Sequence, residues 1–210
     1  DGTANNNAGA GQCWGIDFLS NSSATTANGN ISLIGRSTDA TKYGTSTYLS
    51  TLSTTGTGSV TQQSVTGKTW VGTLTTTGSG NVTINAASTI ERDASAPATQ
   101  VGGNLIITAN GAINDPGQIT VTGTTSITAG AGNYITLSNA SNDFTGAVSV
   151  VSGNNISIVD SNAMTLGAVN STGLIDIATL TGNLTLTGAV QTTNATANAI
   201  KLNAEKDKAA

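Results

Sequence analysis

From residue 80 onward the chain repeats one short pattern: a small or polar residue, then an apolar, a polar and an apolar position. It reads Asn81-Val82-Thr83-Ile84, Asn104-Leu105-Ile106-Ile107, Gln118-Ile119-Thr120-Val121, Tyr134-Ile135-Thr136-Leu137 and Ala147-Val148-Ser149-Val150. It continues through Asn155-Ile156-Ser157-Ile158, Ala163-Met164-Thr165-Leu166, Leu174-Ile175-Asp176-Ile177, Asn183-Leu184-Thr185-Leu186 and Ala199-Ile200-Lys201-Leu202. A period of two predicts short β-strands, each turning two side chains inward and one outward. Two series interleave: Ile135, Ile156 and Ile175 form one, and Val148, Leu166 and Leu186 form the other. A repeat of roughly 20 residues with two or three strands predicts one coil of a parallel β-helix, equivalent apolar residues stacking inside and backbone hydrogen bonds running along the axis.

The residues between strands fit corners. Gly-Asn occurs at 29–30, 80–81, 103–104, 132–133, 153–154 and 182–183. Gly supplies unusual backbone angles and Asn caps turns through its side chain. Stacked in register, such Asn side chains form hydrogen-bonded ladders. The competing architecture is an antiparallel sandwich, which would carry hairpin turns and a bulky aromatic core; only Tyr134 and Phe144 are aromatic after Trp70.

The pattern divides the chain. Residues 80–204 read as regular β-helix, and the whole as about ten coils, a rod of about 50 Å. Residues 1–79 read as a less regular capping or flanking region with some coils, such as Asn30-Ile31-Ser32-Leu33 and Ser59-Val60-Thr61. Five of the seven aromatics lie there: Trp14, Phe18, Tyr43, Tyr48 and Trp70. Trp14 and Phe18, with Ile200 and Leu202 at the other end, are candidates for covering or joining end coils, because a bare end exposes unpaired strand edges. Tyr43, Tyr48 and Trp70 are either a side-packed extension or a ligand platform. Segment 87–101 breaks the pattern and reads as a loop. Residues 205–210 form a charged tail, and Lys201, Glu205, Lys206, Asp207 and Lys208 place five charges in the last ten residues.

Composition narrows the chemistry. Only 9% of the 210 residues are charged and 3% aromatic, against 38 Thr, 22 Asn and 26 Gly. The net charge of −4 speaks against a disordered polyelectrolyte. The absence of His excludes His-based nucleophilic triads and His-ligated metals. Seven basic residues against 11 acidic ones leave no nucleic-acid footprint. No apolar run is long enough for a membrane helix. The chain opens without a basic-then-apolar leader and reads as a mature product or an excised piece. Cys13 is the only cysteine, either a small buried side chain or an intermolecular link.

Residues 133–190 resemble the repeats of filamentous haemagglutinin-type exoproteins, the passengers of two-partner secretion and related autotransporters. The resemblance centres on Asn142-Asp143-Phe144-Thr145-Gly146-Ala147-Val148 and the following coil, Asn155 to Gly167. It implies a right-handed parallel β-helix, export across a bacterial outer membrane, and adhesive function at the cell surface or in the medium. The family supplies no catalytic residues. Its N-terminal secretion domain is not recognisable in residues 1–79.

Three kinds of site come into question. Asp143, Asp160 and Asp176 fall on successive coils, but a glycosidase needs a carboxyl pair at a defined separation. No Lys or Arg stands between Arg92 and Lys201 to serve as a lyase base, so corner capping is the better reading. The glycine-rich nonapeptide repeat of calcium-bound β-rolls is missing. Thr73-Leu74-Thr75, Thr120-Val121-Thr122 and Thr185-Leu186-Thr187 suggest an ice-binding array, yet do not recur once per coil. The reading is an all-β solenoid with a structural or adhesive role, no active site, no cofactor and no metal. Its partners are a host or neighbouring-cell surface, or copies of itself stacked end to end.

Overall fold

The computed structural model describes residues 15–18 and 20–205. These residues contain β-strands and turns and no helix. Every strand pairing is parallel, and the strands form three sheets, A and C of nine strands each and B of six. The chain is a parallel β-solenoid with coils of about 22 residues. The run of partners Ile90, Ile113, Ile135 and Ile156 in sheet A marks these coils through the middle of the chain. Coil length is not constant. The first coil carries Ile16 onto Thr45, whereas a late and much shorter one carries Ile156 onto Ile175. Long coils at both ends, Ile16 to Thr45 and Ile175 to Ile200, explain why sheet A holds nine strands rather than ten. At about 4.8 Å per strand the stack is about 40 Å long.

The inward positions stack as the spacing predicts. In sheet A the column runs Ile90, Ile113, Ile135, Ile156 and Ile175, each at most 2% exposed. In sheet C it runs Val60, Val82, Leu105, Thr125, Val148, Leu166 and Leu186. Branched aliphatics suit this interior because each packs on its counterpart one strand spacing away. The arrangement also removes their surface from water at about 25 cal/mol per Å².

One corner is held by side chains instead. The Asn30 Oδ1 accepts the Ser59 N–H at 2.9 Å, Ser59 Oγ accepts Asn81 N–H at 3.0 Å, Asn81 Oδ1 accepts Asn104 N–H at 2.8 Å, and Asn104 Oδ1 accepts Thr124 N–H at 2.8 Å. Each side chain thus satisfies the backbone of the neighbouring coil. The ladder uses three of the six Gly-Asn pairs. Asn133 instead donates to Ala129 O within its own turn.

The coils before residue 79 stack in the same three sheets, but their interior mixes polar side chains with the buried aliphatics Leu33, Leu52, Val60, Val71 and Leu74. Thr45, Ser46, Thr47, Gln62, Ser64 and Thr69 are buried. Gln62 Nε2 donates to Trp70 O at 2.8 Å, Thr47 Oγ1 to Gln62 Oε1 at 3.1 Å, and Ser64 Oγ to Lys68 O at 2.7 Å. Beside these polar groups the backbones come too close for a side chain: a Cβ on Gly44 would lie 2.4 Å from Thr66 O. Segment 87–101 is not a loop thrown outward. Ile90–Arg92 joins sheet A, Thr99–Val101 joins sheet B, and only residues 93–98 turn between them. Arg92 pins that turn from inside, donating to Gln118 O at 3.1 Å, to Asp115 Oδ1 at 3.3 Å and to Pro97 O. Cys13, Trp14 and residues 206–210 of the tail lie outside the described residues.

Replacing Ile156 by Ala should cost about 3 kcal/mol, as buried Ile-to-Ala cavities do. Asn104→Ala should cost about 1 kcal/mol, because the two hydrogen bonds its Oδ1 accepts from the Thr124 N–H and hydroxyl lie at an exposed corner where water replaces them. Urea unfolding of both variants measures the difference; equal losses would contradict a stability dominated by the stacked column.

Candidate functional site

The structure brings Tyr43, Tyr48 and Trp70 together on the outer side of sheet A. Strands Tyr43–Ser46 and Lys68–Val71 are neighbours there, with Tyr43 opposite Lys68 and Ser46 opposite Trp70. The Trp70 ring lies 5.1 Å from Tyr43, tilted by 57°, and 5.3 Å from Tyr48, edge-on at 88°. These are the offset and edge-to-face contacts that aromatic quadrupoles favour. All three rings are half-buried.

Charged groups frame the rings. Lys68 Nζ sits 5.7 Å from the centre of the Tyr43 ring and 3.0 Å from Glu91 Oε1. The Tyr43 hydroxyl donates to Glu91 Oε2. Burial, with that carboxylate beside it, keeps the Tyr43 hydroxyl protonated far above the usual tyrosine range. Asp93 accepts from the Ser95 hydroxyl and N–H and bonds Tyr48; these bonds, led by the Ser95 hydroxyl, hold its carboxyl below the usual aspartate value. The indole N–H of Trp70 is buried with no acceptor among the described residues, a cost the ring contacts must offset. The cluster is therefore rigid, mixed in polarity and largely charge-compensated. No sequence pattern ties Glu91, Asp93 or Lys68 to the aromatic residues. Glu91 is opposite Trp70 in the sheet, a proximity set by coil length.

The other candidates separate. Phe18 is half-buried against the first coil, its N–H donating to Ser46 O at 2.9 Å and its carbonyl accepting from Ser50 Oγ at 3.2 Å. Ile200 pairs with Ile175 in the last strand of sheet A and is 42% exposed, while Leu202 is half-buried. With Leu184, Val190 and the 48% exposed Leu186 they form a bare aliphatic end.

The three aspartates do not converge. Asp176 points outward and pairs with Lys201 at 3.6 Å. Asp143 is half-exposed on sheet B opposite Thr120. Asp160 is fully buried; its Oδ2 accepts Phe144 N–H and its Oδ1 accepts Asn162 N–H, both at 2.8 Å. Asp143–Phe144 is the last strand of sheet B, so the Asp160 carboxylate takes the place of the missing next strand. Burial raises its pKa from 3.8 to about 6, against the two N–H bonds and with help from Asp143. Asp115 is likewise raised by burial although Arg92 opposes the shift. The Thr-x-Thr segments fall in different sheets, Thr73–Thr76 and Ile119–Val121 in B and Leu184–Leu186 in C, and form no common array. Among the described residues no three His, Cys, Asp or Glu side chains gather around a metal-sized space, and no helix is long and apolar enough to cross a membrane.

A family model described as repeats of unknown function (DUF5649) matches residues 79–151. These residues carry the turn pinned by Arg92, two rungs of the Asn corner and the last strand of sheet B. No curated protein and no solved structure matches the chain. The repeat match agrees with the β-solenoid architecture.

Asp160 sets a pH dependence. Its folded pKa of about 6 exceeds 3.8, so the folded chain binds this proton more tightly than the unfolded one. The contribution is full below about pH 4 and is lost as pH rises through about 6. Asp160→Asn should flatten the melting temperature between pH 4 and 6, as followed by circular dichroism; an unchanged slope would assign it to another group.

Proposed function

We propose that this chain is a structural and adhesive β-solenoid, secreted or displayed on a bacterial cell surface, that works by presenting its outer faces to another surface rather than by catalysis. One observation carries the reading: the polar groups with unusual environments are spent on holding coils together. Asp160 completes the end of sheet B, Arg92 and Asp115 brace a corner, and Gln62 and Ser64 fill a narrow interior. Much of what faces outward is Thr, Ser and Asn, with a few isolated exposed aliphatics and ion pairs and one aromatic cluster. The resemblance to filamentous haemagglutinin-type repeats supports export and adhesion.

A second reading, a filament subunit joined end to end, is favoured by the bare aliphatic end at Leu186 and Ile200.

Beads coated with the folded protein should be retained on bacterial or host-cell layers several-fold above beads coated with heat-unfolded protein; equal retention would sink the adhesive reading. Negative-stain microscopy should show short rods of about 40 Å, and long fibres of uniform width would instead establish the filament.

A further inference from the structure

We propose that the outer face of sheet A is a binding track for an extended, neutral polysaccharide, with the Tyr43–Tyr48–Trp70 cluster at its head. The proposal rests on the adhesive reading and names its ligand class. The outward positions of sheet A are in register from coil to coil: Trp70, Glu91, Asn114, Thr136, Ser157, Asp176 and Lys201. After Trp70 every member of this row is polar. The corresponding face of sheet C is interrupted by exposed Ile106 and Val151, whereas on sheet A the exposed Tyr134 and Leu174 stand just ahead of their strands, beside this row and not in it.

Three features select the ligand. The row rises about 4.8 Å per coil, close to the advance of one sugar ring along an extended glycan, so successive residues can meet successive Asn and Thr side chains. Amide and hydroxyl groups both donate and accept, which matches sugar hydroxyls in either orientation. The half-buried rings supply the apolar surface on which the C–H face of a pyranose packs, and they are held in place by Glu91 and Asp93 before any ligand arrives. Such pre-organisation lowers the ordering cost of binding.

Charge argues for a neutral polymer. Lys68 is already matched by Glu91, and Lys201 by Asp176, while Asp93 adds a negative charge at the head of the track. A polyanion, whether nucleic acid or sulfated glycan, meets no free cationic row here.

The test uses the full chain with Trp14→Phe, which leaves Trp70 as its single tryptophan. Cellohexaose, glucose and heparin are titrated while Trp70 emission is recorded. A saturable change with cellohexaose and none with glucose is expected. The variant Asn114→Leu/Thr136→Val, altered only at outward positions, should keep the ligand-free emission and bind cellohexaose at least tenfold more weakly. No saturable response to cellohexaose, a response to heparin alone, or unchanged affinity in that variant overturns the track. Bead adhesion without a cellohexaose response removes the glycan site and leaves the adhesive reading standing. A cellohexaose response without adhesion removes the adhesive reading and keeps the site.

Discussion

The backbone hydrogen bonds of each strand are made to the coils on either side, so the whole structure depends on coils landing in register. A slip of one residue would turn an entire inward set outward. The aliphatic columns prevent that. Ile135, Ile156 and Ile175 can bury themselves only when stacked on one another, and the same register then places Glu91, Asn114, Thr136 and Ser157 in line on the outside. Core and surface are two faces of one constraint.

Where the column fails, other devices take over. In the early coils the sheets approach so closely at Gly35 and Gly44 that no branched side chain fits, and hydrogen bonds through Gln62 and Ser64 replace hydrophobic contact. At the far end of sheet B a single buried carboxylate, Asp160, replaces a strand. A charge buried without a cation costs solvation free energy, and its raised pKa is the visible result. These substitutions let the cross-section change along the axis while backbone groups such as the Phe144 N–H keep a partner.

The same constraint builds the aromatic cluster. Tyr43, Trp70 and Glu91 stand on three successive strands of sheet A. They are brought side by side by two coils, one carrying Thr45 onto Thr69 and the next carrying Thr69 onto Ile90. An outward aromatic on one coil can thus meet a carboxylate two coils away in sequence, and the solenoid converts a sparse set of unusual residues into one compact patch.

The local pattern alone carried the ten strands of the apolar-polar-apolar repeat after residue 80, their inward and outward faces and the approximate coil length, because an alternation of two nested within the longer coil repeat is a local record of stacking. It also marked Tyr43, Tyr48 and Trp70 as unusual for so aromatic-poor a chain. Tertiary structure alone decided what has no periodic trace. The strands at 90–92 and 99–101 hide beside the irregular turn pinned by Arg92. The polar side chains inside the early coils read as surface until the sheets are seen to close over Gln62 and Ser64. Which Asn residues share a ladder depends on the length of each coil, and that length differs between the coil from Ile16 to Thr45 and the coil from Ile156 to Ile175. Glu91 and Asp93 joined the aromatic patch for the same reason: cross-coil neighbours are set by the number of residues between them, and that number is fixed only when the coil closes.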